Sequence, residues 1–497
     1  MLFLFPRRIL LLAVLCCMQT ACMLGADFHS PPPPPVATYD AKPLPAKTVA
    51  TPAAGKSGKS QTFIYGQNIP LHWWELFHSK ELNNLIEKGL AHSPNLQAAI
   101  AALKVAQETL NVQIGNLMFP AVNGSVSGDR EKFSGSTIGS STNVIFNLFN
   151  TSVNVTYVPD VFGASRRQLE ATQAQVDYQQ FQLIAAWLSL SANIVTTAIS
   201  AASYQAQIKA TLEIIRTEQN QLDILRKQFQ LGGIAKDTVL TQETLVNQTR
   251  ATLPPLQKSL SQAQHALAVL IGVFPNTNIP IIDLDKLHLP QHLPVSLPSY
   301  LVRQRPDVRA AEATLHTACA NVGVATANLF PQINITGAFG WETSIPAQLF
   351  STGTMIWSIG GSVTQPIFHG GALMAARRQA IASYNQAAAQ YRQTVLTAFQ
   401  NVADSLRAIE TDARTLQAQQ RAKDSALANL NLSLSQYRLG GTSYLLLLNA
   451  QEQYQSTLIA TIQARAARYN DTAALLQALG GGWWNKQWCV KECLNAS

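Results

Sequence analysis

Two long stretches of this chain contain neither glycine nor proline: Ala164 to Leu231, and Ala372 to Leu439. At ordinary usage roughly eight such residues would fall in each. Without these helix breakers, each stretch is free to run as one helix of about 100 Å at 1.5 Å per residue. Charge is also scarce, at 13% of residues, with Gln, Asn, Ser, Thr and Ala in its place. Lys and Arg number 36 against 28 Asp and Glu, a net charge of +8, but they are scattered. A nucleic-acid surface needs a clustered basic stripe, so no nucleic acid is expected as a partner. Beyond the N-terminus no long apolar run stands out, which predicts no transmembrane helix. His-Glu-x-x-His, nucleophile-elbow and phosphate-cradling glycine motifs are missing, and the nine histidines are dispersed. An enzyme is therefore the weaker reading, with no catalytic residue, cofactor or metal site to name.

Cysteine is rare, with six in the chain. Arg7-Arg8 and the apolar run Ile9 to Leu15 read as a secretory leader over residues 1–21, which takes Cys16 and Cys17 with it. Thr20-Ala21-Cys22 places small residues before a cysteine, as bacterial lipoprotein signals do, although Gln19 departs from the usual aliphatic residue. Cys22 is thus the candidate lipidation site, since several acyl chains anchor stably. A plain cleavable leader is the competing reading. Cys319 falls inside a helical pattern, while Cys489 and Cys493 sit close together in the tail. In an oxidising compartment those two are a candidate disulfide; zinc would need ligands that are not nearby.

Residues 22–60, with five consecutive prolines, read as a lipid-anchored linker. A first structural repeat follows over 61–272. Its helical pattern from Glu81 to Met118 is interrupted at Ser93-Pro94, then gives way to a period of two at Val122, Gly124 and Val126. A second alternating run ends at Tyr157, and the first long rod follows Gly163. Gly232-Gly233 turn the chain into a helix that returns to Ile271-Gly272. Residues 273–305 carry five prolines and no clear period, and read as a connector. The second repeat, 306–480, has the same order: helix, two alternating runs, long rod, Gly440-Gly441, return helix; 481–497 is a tail. Gly163, Gly232 and Gly272 match Gly371, Gly440 and Gly480 at one constant spacing, so the chain is internally duplicated.

Each half supplies two strands. Ile333, Ile335, Gly337, Phe339 and Trp341 face one way, and Asn334, Thr336 and Ala338 the other; Met355, Trp357 and Ile359 alternate likewise with Ser358 and Gly360. An ordinary sandwich strand alternates equally well, but nothing else in the chain would cover the apolar face. An outer-membrane barrel around a watery lumen has this alternation, with Tyr157, Trp341 and Trp357 as interface aromatics. Four strands cannot close a barrel alone, so closure by oligomerisation follows. Along the rods, Ile208, Ile215, Leu222 and Phe229 recur every seven residues, as do Ile409, Leu416, Leu430 and Tyr437 with Lys423 in the gap. That period gives left-handed supercoiling against neighbouring helices. A secreted coiled-coil scaffold would explain the rods but leave the strands without a role.

The chain resembles the TolC-like outer membrane factors of bacterial efflux systems, and within them the lipidated NodT/OprM branch. The resemblance rests on Trp73-Trp-Glu-Leu-Phe77, Leu253-Pro-Pro-Leu256, Ala266-Leu-Ala-Val-Leu-Ile-Gly272, Arg305-Pro-Asp-Val-Arg-Ala-Ala-Glu312, Gln365-Pro-Ile-Phe368 and Leu479-Gly-Gly-Gly-Trp483, in that order. It implies an α+β membrane protein: a trimeric outer-membrane β-barrel with four strands per chain, continuous with a long periplasmic α-helical barrel. It also implies a homotrimer, contact with outer membrane lipid, a periplasmic adaptor (membrane fusion) protein and an inner-membrane pump of the resistance–nodulation–division type. The function implied is a passive exit duct for small molecules such as drugs, with a type I protein-secretion duct as the alternative. Gly232, Gly233, Gly440 and Gly441 match the family's periplasmic tips, where the adaptor docks. The family's acidic entrance positions fall here on Leu446 and Asn449, an apolar and amide pair that would close the entrance by dewetting. Tyr437 and Asp237 complete the expected gate. Leu446 packing simply against a neighbouring helix is the plainer alternative.

Overall fold

The computed structural model describes residues 23–134 and 142–485. Cys22, Cys489 and Cys493 lie outside the described residues. Two compact units divide the chain, and the long helices run through both.

The first unit takes Met1–Pro31, Ala102–Gln180 and Ala310–Arg392. Its centre is an antiparallel sheet of four strands in the order β2 (Ala121–Phe133), β3 (Val144–Tyr157), β5 (Gln332–Thr343) and β6 (Met355–Thr364). Register carries the alternation across all four. Val126 pairs Thr151, Val153 pairs Phe339, and Phe339 in turn pairs Trp357, so these apolar side chains share one face. On the other face Ser125 meets Ser152 at 2.9 Å between hydroxyls, Asn154 Nδ2 donates to Ser125 Oγ at 3.2 Å, and Asn150 Nδ2 donates to Glu342 Oε2 at 3.1 Å. A one-residue slip would exchange the two faces, so the pattern itself fixes the register. Val126, Phe339 and Trp357 are exposed, and β2 and β6 are edge strands with no partner among the described residues.

The second unit takes Pro32–Ala101, Phe181–Arg309 and Gln393–Ser497. It holds a two-stranded parallel sheet that periodicity did not anticipate: β1 (Thr62–Tyr65) pairs with β4 (His292–Val295) inside the connector. Four residues are too few to display a period. Around it lie α1 (Lys80–His92), the start of α2 (Pro94–Met118), and α5 (Pro298–Gln304). The Trp73–Phe77 motif is core: Trp73 and Phe77 are fully buried, and the rings of Trp74 and Phe77 pack at a tilt on Trp187 at 5.6 Å and on Tyr469 at 6.3 Å. Helix α6 (Pro306–Ala327) opens at Pro306, where a missing N–H costs nothing. Just before it, Arg305 grips Asp307 at 2.6 Å and donates to the Ala478 carbonyl at 2.9 Å.

The rods are α3 (Ala164–Gln230) and α7 (Ala372–Arg438), 67 residues each; their return helices α4 (Lys236–Leu270) and α8 (Tyr444–Ala478) have 35 each. Helix α4 runs through Pro254 and Pro255, giving up two backbone hydrogen bonds. Helix α3 contains a window long and apolar enough to cross a membrane, but 61% of that window is buried in the fold, which marks a core helix. The heptad on α7 is real, with Ile409 and Leu416 buried. On α3 only Leu222 of the heptad is buried: Ile208 and Ile215 are half-buried and Phe229 is exposed, while Gln207, Thr211, Glu218 and Leu225 are buried beside it. Apolar spacing missed a seam built largely from polar side chains.

Residues 23–61 contain one short helical turn, Pro52–Gly58, and are fastened at intervals. In the first unit the buried Arg167 donates to the Leu24 and Gly25 carbonyls at 3.2 Å and to Asp27 at 2.7 Å. In the second, Arg407 donates to Asp40 at 3.1 Å and Arg468 donates to the Ser57 carbonyl at 2.7 Å and to Gln61 Oε1 at 3.0 Å.

Candidate functional site

Both rods end in the same way within the second unit. Gly232 N–H donates to the Phe229 carbonyl at 2.9 Å and Gly233 N–H to the Gln228 carbonyl at 2.9 Å. Gly440 and Gly441 repeat this on Tyr437 and Gln436, at 3.1 and 2.8 Å. This paired bonding is the Schellman arrangement, and it needs a left-handed residue just past the helix. Gly232 and Gly440 supply it with φ of +77° and +74°. Gly233 and Gly441 do not have positive φ, so the turn alone does not require them. Leu231 and Leu439, 86% and 87% exposed, stand at the two turns. The second hairpin is capped by Ser443, whose hydroxyl accepts from Leu446 N–H; the first has Ala235 there and no side-chain cap.

The expected entrance residues fall into two sets. Tyr437 lies half-buried against Tyr444, ring centroids 5.3 Å apart. Leu446 and Asn449 are both exposed on α8, three residues apart and so on one side of the helix. Asp237 is exposed in the first turn of α4, where its carboxylate accepts from Thr238 N–H at 2.6 Å. That local bond engages Oδ1 on its own helix.

Behind these residues sits a buried polar cluster that sequence reasoning did not single out. Gln242 on α4, 0% exposed, donates to the Glu218 carbonyl of α3 at 2.9 Å and accepts from the Tyr444 hydroxyl of α8. It therefore ties the first hairpin to the second. Tyr444 also packs on the apolar set Leu222, Leu225, Val239 and Val246. Glu218, 2% exposed, accepts from Thr249 Oγ1 at 3.2 Å through one carboxyl oxygen; the other has no partner among the described residues. Burial pushes its carboxyl up to about 7, the Thr249 hydrogen bond works against this, and the charge of Glu452 on α8 adds to it. A half-buried carboxyl, Asp412 on α7, is likewise pushed up by burial and by Asp471 on α8, against the pull of Arg468. The signal available in the sequence was a set of long polar residues at seam positions of a helix, which periodicity scores as surface.

The chain matches the family model described as "Outer membrane efflux protein" over residues 85–273 and 297–481. Nodulation protein T of Rhizobium leguminosarum is 30% identical over 95% of this chain and 93% of its own length. The probable efflux pump outer membrane protein TtgC of Pseudomonas putida is 28% identical over 97% and 96%. Among solved structures, the outer-membrane channel OprN superposes with a TM-score of 0.83 at 27% identity, covering 93% of this chain and all of its own.

Proposed function

The chain belongs to the outer membrane efflux protein family, and from that premise we propose how its described parts assemble into a working exit duct. It is an outer membrane channel for efflux. The observation that carries the assembly is the four-stranded sheet, with two unpartnered edges and one exposed apolar face. Unpaired edges and such a face are liabilities in water, but lipid covers the face and further strands cover the edges. Three copies, each joining its β2 edge to the β6 edge of the next, make one twelve-stranded barrel with the Ser125–Ser152 face towards water. The rods then form the periplasmic wall, and a lipid on Cys22 anchors the docked N-terminal segment.

The tips take the periplasmic adaptor, which links the duct to an inner-membrane pump of the resistance–nodulation–division type. Exposed Leu231 and Leu439 beside side-chain-free Gly233 and Gly441 support this, because a partner can approach the backbone closely there. The exported cargo is a small molecule handed over by that pump. Leu446 and Asn449 close the entrance as an apolar and amide ring that excludes water.

Native mass measurement of the detergent-solubilised full chain, together with single-channel recording in planar bilayers, tests the assembly. Trimers that conduct are expected. A protein that stays monomeric and gives no conductance refutes it.

A further inference from the structure

One cavity plays no part in the tips or the sheet. It lies in the second unit beside the β1–β4 pair, with a volume of about 290 Å³. Lys56, Lys59, His78, His288 and His292 line it, and no acidic side chain among the described residues does. Two acids lie outside its lining: Asp285 is paired with Arg465, and Glu81 accepts from the Ser79 hydroxyl at 3.1 Å.

Gathering like charges costs free energy, and here the fold enforces it. Arg468 holds the Ser57 and Lys59 carbonyls at 2.7 and 3.2 Å, which fixes the turn carrying both lysines. His292 is the first residue of β4. His78 ends the Trp73–Phe77 turn at φ +48°, the one non-glycine residue with positive φ among the described residues. Backbone strain of this kind clusters at functional sites. The Phe77 carbonyl accepts from His288 N–H at 3.1 Å, and the His78 and His288 rings meet edge-on at 5.5 Å. His288 Nδ1 is closed to solvent with no hydrogen-bond partner among the described residues. Burial first, then Lys56, His78 and Lys59, disfavours its protonation. Everything around this cavity asks for negative charge.

We propose that it binds an oxyanion, a phosphate or carboxylate group, with Lys56 and Lys59 supplying charge and the three histidines supplying N–H donors. At this size it holds the anionic group with room to spare, so a free small ion and the anionic end of a larger molecule both fit. A bound anion favours the imidazolium forms, so binding takes up protons and tightens as pH falls. It also weakens with salt, because the rim is exposed.

Isothermal titration calorimetry on the purified full-length protein tests this, with inorganic phosphate and citrate as probes at pH 6 and pH 8. Runs in two buffers of different ionisation enthalpy read the proton uptake. Saturable binding that strengthens at pH 6 with proton uptake is expected, and the Lys56→Gln/Lys59→Gln variant should weaken it by about tenfold or more. Preference for phosphate or for citrate identifies the group recognised. Should that variant fold poorly, the milder His292→Gln variant reads the same loss. No saturable heat from either probe up to about 10 mM, or unchanged binding in the variants, overturns the proposal. A channel that still conducts in that case leaves the efflux assignment intact.

Discussion

Replacing Glu218 by Gln isolates the buried carboxyl that lies beside the Gln242–Tyr444 tie between the two hairpins. In the folded chain the carboxyl titrates near 7 instead of 4.5 because burial disfavours its charge. The folded state therefore holds the proton more tightly than the unfolded state. Below about pH 4.5 both states are protonated and the group costs nothing. Between 4.5 and 7 the unfolded chain loses its proton first, so stability falls as pH rises. Above 7 the full penalty stands, ~3 kcal/mol per chain at 1.36 kcal/mol per tenfold in proton affinity. Gln keeps the acceptor for Thr249 Oγ1 and cannot ionise, so the penalty is absent at every pH. The variant should match the parent near pH 4.5 and exceed it above pH 7, by up to that amount. Thermal unfolding across pH measures the difference, and amide exchange in Glu218–Leu225 and Tyr444–Leu448 locates it. Identical pH slopes for parent and variant would refute the reasoning.

Other expectations follow from single contacts. Gly232→Ala forces a side chain into φ +77° with nothing within 4 Å to clash, so it should cost roughly 1–2 kcal/mol from the backbone alone. Gly233→Ala should be near neutral in thermal unfolding, and any loss of adaptor binding it causes would then belong to docking. Arg468→Met removes the grip on Ser57 and Gln61 and strands their oxygens, a loss of roughly 3 kcal/mol. Faster tryptic cleavage at Lys56 and Lys59 reads it; an unchanged rate would show that other contacts hold the segment. Leu446→Asp should create strong block of bilayer conductance by low concentrations of a trivalent cation. Equal block in the parent would point to a carboxylate ring already present.

Much of the fold is legible in order and type. Missing Gly and Pro mark both rods, and the left-handed glycines at 232 and 440 end them. Alternation at Val122 to Val126 and at Ile333 to Trp341 marks the strands. The β1–β4 pair is not legible, since four residues give no period and the partners lie far apart in sequence. Nor is the fastening of residues 23–61, because nothing local distinguishes an arginine that solvates a helix from one that grips a distant carbonyl.

Sequence by itself determined what depends on near neighbours: rod length, turn position, strand alternation and the duplication, all set by backbone propensity and side-chain period. Only the tertiary structure decided which polar groups are buried and which meet. Glu218, Gln242 and Tyr444 read as three unrelated surface residues, and so do Lys56, His78 and His288. Their properties arise from desolvation and from charges on other elements. Both are set by packing across long sequence separations, which no local pattern encodes.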